Sequence, residues 1–427
     1  MINRKIAPPV NSVSIPDFLM PQKYTLSNGA NVWYYNAPVS DISRISVIFH
    51  AGTIYESQKL QAFFTYQLLK QGSIQKSSQQ VAELLDFYGS YTEMEVMKDF
   101  CCFTIYNLNK YAQEILQMVA ELIESPGFYE TDFEVYRKKQ KQRFLVNMEK
   151  VSGMARNQFP SLLFGKDHPY GGETNYTDYD AIQLNDIKQF YNDAIKEKPF
   201  TVLVSGAVNN HLVEVIDNTL GKIKISALLK EISSDVFNVS DYKPKKNYLP
   251  KKEALQNAIL IGVPLFNRKH PDYFPLMVAN TLLGGYFGSR LMSNIREDKG
   301  YTYGIGSALA TYKNNGYFII STEVGSDVCA DALKEIYIEI EKLCSRKVPE
   351  KELNVVKSYM LGDLLRDMDG PFALSDRFKN MYINNLPDTY YPNFAEAIKN
   401  VNSDEILRVS QRYLTVENLT ELVVGKK

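Results

Sequence analysis

The sequence predicts an α+β protein made of two homologous domains in tandem, each a mainly antiparallel sheet with helices packed on one face. At 427 residues, the chain exceeds the size at which a single hydrophobic core stops growing. Its apolar strand patterns also recur at a similar offset, because 258–262 corresponds to 45–52 and 420–425 corresponds to 201–206. A repeat of this length indicates two copies of one folding unit.

The polar, lysine-rich stretch 231–253 separates the two apolar blocks and has the composition of a linker. The sequence therefore predicts an N-terminal α+β domain over residues 1–230 and a C-terminal α+β domain over residues 254–427. The lysines of this stretch either bind a partner or form a solvated charge cluster, and the second interpretation is the simpler one.

In the first domain, an Asn28-Gly29 turn between strand-like segments predicts a hairpin over 24–33. Apolar spacing and helix-ending residues predict the remaining elements. These are strands over 45–50, 99–106 and 201–206, helices over 60–70, 81–88, 112–123 and 129–150, and a helix that opens near residue 184.

The same rules predict the elements of the second domain. They are strands over 258–262, 318–321 and 420–425, and helices over 329–343 and 349–365. Between them, a helical spacing that includes Phe287 and Ile295 ends at Gly300, the residue type best suited to a left-handed backbone. A strand should follow at once over 301–305, where side chains alternate in character.

The charge balance gives no general reason to bind nucleic acid or an anionic membrane, because 48 basic and 49 acidic residues leave a net charge of −1. No stretch approaches the apolar length of a membrane span, and residues 1–19 lack the apolar run of a signal peptide. The four cysteines show neither metal-site spacing nor a disulfide framework. These features predict a cytoplasmic protein with reduced thiols.

The stretch 282–307 contains the strongest candidates for chemistry. Arg296 falls in the last helical turn and Tyr303 on the strand that follows, so two strong hydrogen-bond donors can converge on one point. Such a pair suits a substrate carbonyl. In the alternative interpretation, Arg296 is only a favourable charge at a helix C-terminus and the glycines only permit a tight turn.

The same stretch resembles a known family. Residues 283–291, 295–297 and 300–303 are similar to the C-terminal-half signature of the pitrilysin/insulinase metallopeptidases, which include mitochondrial processing peptidase. The match is specific because several glycines, an aromatic residue, Ser-Arg-Leu, Arg-Glu and a Tyr occur at fixed offsets. The resemblance implies two homologous halves that together form half of a clamshell.

Active members of that family carry His-x-x-Glu-His on a helix of the first half, with a further Glu ligand on a later helix. Two imidazoles at positions i and i+4 lie on one helical face and can share a zinc ion. The Glu between them can deprotonate the zinc-bound water. The flanking segments 51–56 and 70–73 resemble those on either side of this motif and therefore fix its position here.

At that position the ligands are absent. The two His positions fall on Phe63 and Gln67, the general base falls on Tyr66, and the family spacing brings the third ligand position to Arg143. Phenylalanine has no lone pair, glutamine is a weak zinc ligand, and arginine would place a cation beside a dication. The resemblance thus implies that this chain binds no metal, and the four histidines of the sequence, isolated from one another, form no substitute site.

In two-chain members of the family, one subunit holds zinc and the other keeps the second-half Arg and Tyr. The resemblance implies that this chain is the second kind: a non-zinc-binding subunit of a heterodimeric zinc metalloendopeptidase, inactive alone. Arg296 and Tyr303 would bind the peptide and stabilise the oxyanion, and the zinc would belong to a homologous partner subunit. Gly284, Gly285 and Gly288 would let the backbone approach the substrate closely.

The expected substrate is a peptide or an unfolded polypeptide, and no nucleic acid or membrane partner is expected. The alternative function is a non-enzymatic scaffold, or a homodimer of the same fold that only binds peptides. A scaffold has no need of both donors, so the presence of Arg296 together with Tyr303 favours the peptidase subunit.

Overall fold

The computed structural model describes residues 17–37 and 41–426; residues 1–16, which fall in the segment predicted to lack a signal peptide, lie outside the described residues. The strands of the described chain are β1 (Gln22–Thr25), β2 (Asn31–Asn36), β3 (Ile42–Phe49), β4 (Tyr91–Val96), β5 (Cys101–Leu108), β6 (Phe200–Gly206), β7 (Lys246–Pro250), β8 (Gln256–Leu265), β9 (Thr302–Thr311), β10 (Gly316–Gly325) and β11 (Thr420–Gly425).

The helices are α1 (Gln61–Leu69), α2 (Ser78–Phe87), α3 (Ala112–Glu124), α4 (Glu130–Met148), α5 (Val151–Phe164), α6 (Tyr176–Ala181), α7 (Leu184–Ala194), α8 (Asn210–Thr219), α9 (Tyr273–Asn280), α10 (Cys329–Ser345), α11 (Glu350–Arg366), α12 (Gly370–Ile383), α13 (Tyr390–Asn400) and α14 (Ser403–Tyr413). Two π-helical segments, Thr281–Gly285 and Met292–Asp298, lie between α9 and β9. Over the described residues, no helix has the length and apolar character needed to cross a bilayer.

The strands form two sheets of matching topology, which confirms the predicted α+β tandem. The first sheet has the order β1-β2-β6-β3-β5-β4 and the second β7-β11-β8-β10-β9. In each sheet one pair is parallel, β2 with β6 and β7 with β11, and the other pairs are antiparallel. Strands β2, β6, β3, β5 and β4 therefore correspond one by one to β7, β11, β8, β10 and β9.

Strand β7 lies inside the stretch predicted as a linker. It pairs with β11, placing Asn247 beside Leu422 and Leu249 beside Val424. The second sheet thus begins before residue 254. Local composition did not indicate this strand, because it is exposed at every second residue and is held by pairing with a strand far away in the sequence.

The two halves exchange one helix each. Alternate residues of a strand lie on opposite faces of the sheet. On one face of β6, Val202 and Val204 pack with the first domain's own helices. On the other face, Leu203 belongs to the core of the second domain. That other face is covered by α12, whose Phe378 ring centroid lies 5.0 Å from that of Trp33 on β2.

The reciprocal contact is made by α5, which packs on β8 and β11 of the second sheet. Ala155 and Phe159 of α5 form a buried cluster with Leu260 and Leu422. Each sheet thus has its own helices on one face and a helix from the other half on the opposite face, which locks the two domains together.

Candidate functional site

Arg296 and Tyr303 meet through a contact between the Arg296 side chain and the Tyr303 backbone; the convergence of their two donor groups on one point stays a prediction. The helical stretch ends in the π-helical segment Met292–Asp298, and the chain then reverses at Gly300, whose φ is +67°. Positive φ is accessible to glycine without steric cost. Arg296 Nε donates a 3.0 Å hydrogen bond to the main-chain carbonyl oxygen of Tyr303, the second residue of β9. The contact fixes both residues at the start of an edge strand.

The guanidinium of Arg296 and the hydroxyl of Tyr303 point away from the protein core. The Tyr303 side chain is 94% exposed. Arg296 Cζ lies 4.8 Å from the ring centroid of Phe287, itself an exposed side chain, and Arg296 has no carboxylate partner in the described part of the chain. A guanidinium over an aromatic face is held by cation–π attraction and keeps its remaining N–H donors available.

Tyr303 also borders a cavity of about 340 Å³ between the second sheet and the helix it receives from the first half. Thr302 and Glu323 line it on the sheet side, and Ser152 and Arg156 of α5 line it on the helix side. The cavity contains polar groups from both halves of the chain, so it exists only because α5 packs on the second sheet.

The three glycines proposed to bind substrate differ in position. Gly284 is buried, and a Cβ there would lie 2.7 Å from the backbone nitrogen of Ser307, so its small size allows the π-helical turn to pack on β9. Gly285 and Gly288 are exposed. Of the three, only these last two lie where they could contact a ligand.

The positions of the absent zinc motif are filled by packing. Phe63, at the first His position, stacks on Tyr136 of α4 with a ring-centroid distance of 6.2 Å. Gln67, at the second, donates its amide to the Met94 carbonyl oxygen of β4 at 3.4 Å. Arg143 is exposed, and its charge acts on Tyr136, whose pKa burial raises and Arg143 partly lowers again.

Tyr66, at the position of the general base, is fully buried. Its hydroxyl donates a 2.6 Å hydrogen bond to the Ala51 carbonyl oxygen, and burial raises the pKa of its phenol well above the usual value. A neutral phenol held in this way cannot act as a base near pH 7. In residues 17–37 and 41–426, no group of three or more His, Cys, Asp or Glu side chains could hold a metal ion, and the residues at the motif do not fit zinc.

Sequence reasoning missed two residues of this region. Arg156 borders both the cavity at Tyr303 and a second cavity next to Phe63. Glu56 is a partly buried acid whose Oε1 accepts the Ala62 N–H at 2.8 Å at the start of α1, and burial raises its pKa to about 7. No local motif marks either residue, because each is placed by contacts between segments far apart in sequence.

Comparison with known proteins agrees with the fold. Residues 31–168 match the family model described as insulinase (peptidase family M16), and residues 181–360 match the model described as peptidase M16 inactive domain. The two models together cover most of the chain, with the same two-domain order as the structure. The chain therefore belongs to the M16 peptidase family.

Two relatives carry contrasting descriptions. The chain is 21% identical over 354 residues to an uncharacterized zinc protease, YmxG, of Bacillus subtilis, covering 82% of this chain and 85% of that protein. It is 22% identical over 374 residues to a non-peptidase homolog, YmxG, of Helicobacter pylori, covering 84% and 83%. The crystal structure of a peptidase M16 inactive domain from Pseudomonas fluorescens superposes with a TM-score of 0.85 at 20% identity, covering 96% of this chain and 98% of that one. This last similarity establishes the shared fold.

Proposed function

We propose that this chain is the non-zinc-binding subunit of a two-chain zinc metalloendopeptidase, in which Arg296 and Tyr303 bind the peptide carbonyl that is cleaved. The observation that supports the proposal is that Arg296 contacts the backbone of Tyr303 at an exposed edge strand. In the same chain, Phe63 and Tyr66 occupy the positions that the resemblance assigns to a zinc ligand and to the general base. A chain that keeps one half of a catalytic site and lacks the other requires a partner.

The chemistry of the pair follows from charge. A zinc ion held by the partner subunit would supply the attacking hydroxide. The carbonyl oxygen of the scissile bond becomes anionic as attack proceeds, and a guanidinium and a phenol bind an anion more strongly than a neutral carbonyl. Removing one preorganised donor of this type typically costs about 3 kcal/mol of transition-state stabilisation.

Strand β9 offers a way to hold the substrate. It pairs with β10 and is the last strand in the order of the second sheet, so no second strand of the described chain pairs with its other edge, although the Tyr303 carbonyl oxygen accepts from Arg296. An extended peptide can add to such an edge through main-chain hydrogen bonds that do not depend on its sequence. Tyr303 is near the start of this edge. We therefore expect peptides and unfolded segments as substrates.

Membership of the M16 family supports the proposal of a partner subunit. Members of the M16 family commonly act as paired subunits. The partner proposed here is a homologous chain with an intact zinc motif, which would face Arg296 and Tyr303 when the two chains close over a peptide. Zinc belongs to that partner in this proposal, and this chain binds no metal.

The decisive experiment measures peptidase activity on a quenched fluorescent peptide library. The samples are this chain alone, its mixture with a zinc-bearing homologue from the same genome, and the same mixture with Arg296→Ala/Tyr303→Phe. The matched control is Arg346→Ala/Tyr176→Phe, which changes an exposed arginine and an exposed tyrosine away from the site. We expect activity only in the mixtures, with a collapse confined to the Arg296/Tyr303 variant.

The same experiment decides between the proposal and its alternative. A stable complex that cleaves no peptide would favour a non-enzymatic scaffold. A homodimer of this chain that binds peptides through Arg296 and Tyr303, with no cleavage in any mixture, would favour a peptide-binding homodimer. Activity in the mixture that survives the double substitution would refute the role assigned to the pair.

A further inference from the structure

The second cavity, of about 450 Å³, lies beside the filled zinc position. Its walls come from the turn before α1, from α5, and from the loop 166–174. Phe63 forms part of the wall, so this space is separate from the edge of β9. The proposed function makes no use of it.

Four cationic side chains line this cavity, and only two of them have a hydrogen-bond or ion-pair partner in the part of the chain that the structure describes. Lys166 forms a 3.1 Å ion pair with Glu173, and the Lys59 ammonium donates to the main-chain carbonyl oxygen of the same residue. In contrast, Lys98 and Arg156 have no hydrogen-bond or ion-pair partner among the described residues. Lys98 is largely buried, and this desolvation lowers its pKa.

The acidic groups close to these two cations are already engaged. Glu56 accepts the N–H of Ala62, as described above. Both carboxylate oxygens of Asp99 are occupied, one by the Tyr170 hydroxyl at 2.6 Å and the other by the Lys313 N–H at 3.0 Å. Asp167 is the lining carboxylate without a partner in the described chain, and it is exposed at the rim. Burial lowers the pKa of Lys98 more than the nearby charges of Glu56 and Asp99 raise it, and neither carboxylate makes a hydrogen bond or an ion pair with its ammonium.

Besides Lys98 and Arg156, the Thr53 hydroxyl lacks a hydrogen-bond acceptor in the described chain. Thr53 lines the same cavity, and its hydroxyl oxygen is buried with no hydrogen-bond partner among the described residues. An unpaired buried hydroxyl and an unpaired, largely buried ammonium each cost free energy unless a ligand satisfies them. The Thr53 oxygen has almost no accessible surface, so a ligand in the cavity would contact the Lys98 ammonium and Arg156 and not this hydroxyl.

We infer that this cavity binds a small oxyanion, a carboxylate or a phosphate, between Lys98 and Arg156. An oxyanion accepts several hydrogen bonds at once, and bonds from charged donors are the stronger ones. Arg156 presents a planar fork that matches either group, and Lys98 acts as a point charge. Lys98 separates this inference from the proposed peptidase role, because it lines this cavity and not the one at Tyr303, whereas Arg156 borders both.

The test is calorimetric titration of the full chain with three probes: inorganic phosphate, a pentapeptide with a free C-terminal carboxylate, and the same peptide amidated. We expect phosphate or the free-carboxylate peptide to bind, and Lys98→Met to weaken that binding about tenfold or more. Arg156→Gln should weaken it similarly. Lys222→Met, which removes an exposed lysine elsewhere, is the control for net charge and should bind as the unmodified chain does.

The probes separate the two sources of the oxyanion. Preference for the free over the amidated peptide identifies a peptide carboxylate, and binding of phosphate alone identifies a phosphate. Failure of both phosphate and the free-carboxylate peptide to bind would overturn the inference, as would equal binding by Lys98→Met, Arg156→Gln and the control. If Lys98→Met does not fold, Arg156→Gln, at an exposed position, still decides the matter.

Discussion

Arg296 Nε and the main-chain carbonyl oxygen of Tyr303 are joined by a hydrogen bond of 3.0 Å across the reversal at Gly300. The bond consumes one donor of the guanidinium and leaves the Tyr303 side chain exposed. It therefore places the Arg296 guanidinium against the backbone of Tyr303, without pairing the two functional groups with each other.

Arg296→Lys tests this arrangement. Lysine keeps the charge but lacks both the Nε–H that contacts Tyr303 and the planar fork of donors. In the complex with a zinc-bearing partner, we expect kcat to fall about 10²-fold or more, with little change in the thermal unfolding midpoint of this chain. The control is Arg346→Lys at an exposed position. Unchanged kcat in Arg296→Lys would contradict a specific role for the guanidinium.

Gly284→Ala tests the packing of the π-helical turn on β9. Its Cβ would lie 2.7 Å from the Ser307 backbone nitrogen, so we expect a loss of about 1–3 kcal/mol in the free energy of unfolding. Gly362 provides the matched control, because it is exposed within α11 and a Cβ there meets no atom within 4 Å. Gly362→Ala should stabilise by up to about 1 kcal/mol. Urea denaturation measures the free energy of unfolding of both variants. Equal changes in the two would refute the argument that the close approach of β9 requires glycine at position 284.

Tyr66→Phe tests whether the former general-base position is now part of the core. The substitution removes the donor to the buried Ala51 carbonyl oxygen and changes little else. We expect a loss of about 1–2 kcal/mol in the free energy of unfolding. Tyr303→Phe, at a 94% exposed side chain, should leave stability unchanged. A Tyr66→Phe variant as stable as the unmodified chain would show that this hydrogen bond is not structural.

Glu56 predicts a pH dependence of stability. Burial raises the pKa of its carboxyl from 4.5 to about 7, so the folded chain binds more protons than the unfolded chain between these values. Its contribution to stability therefore falls as pH rises from about 4.5 to 7 and is constant above that range. Glu56→Gln removes this proton uptake while keeping an oxygen that can accept the N–H of Ala62.

The unfolding free energy of Glu56→Gln, relative to that of the unmodified chain, should accordingly be more favourable at pH 8 than at pH 5. Comparing the variant with the unmodified chain at each pH cancels the contributions of other titrating groups, such as Asp99, whose pKa burial also raises. Glu214→Gln, at an exposed position, should show no such difference between the two pH values. A relative stability of Glu56→Gln that does not change with pH would rule out a partly buried, titrating Glu56.

The elements that sequence patterns predicted best are those whose residues determine their own conformation. The hairpin turn at Gly29 and the reversal at Gly300 have positive φ, as the local sequence indicates. Strands β3, β6, β8 and β11 were found as apolar runs because both of their faces are buried. Strand β10 was found by its short apolar run 318–320, although only one of its faces is buried. In contrast, β4 and β7 were missed, since edge strands alternate in exposure and gain their stability from a distant partner.

The sequence by itself determined the tandem repeat, and it predicted the pairing of Arg296 with Tyr303 and, through the resemblance, the replacement of the zinc ligands by Phe63, Gln67 and Arg143. Each of these depends on residue identity and short-range spacing. Only the tertiary structure decided that α5 and α12 cross to the opposite domain, and that Lys98 and Arg156 share a cavity. The physical reason is that helix exchange and cavity walls depend on contacts between residues far apart in the chain, and short-range patterns carry no signal for these.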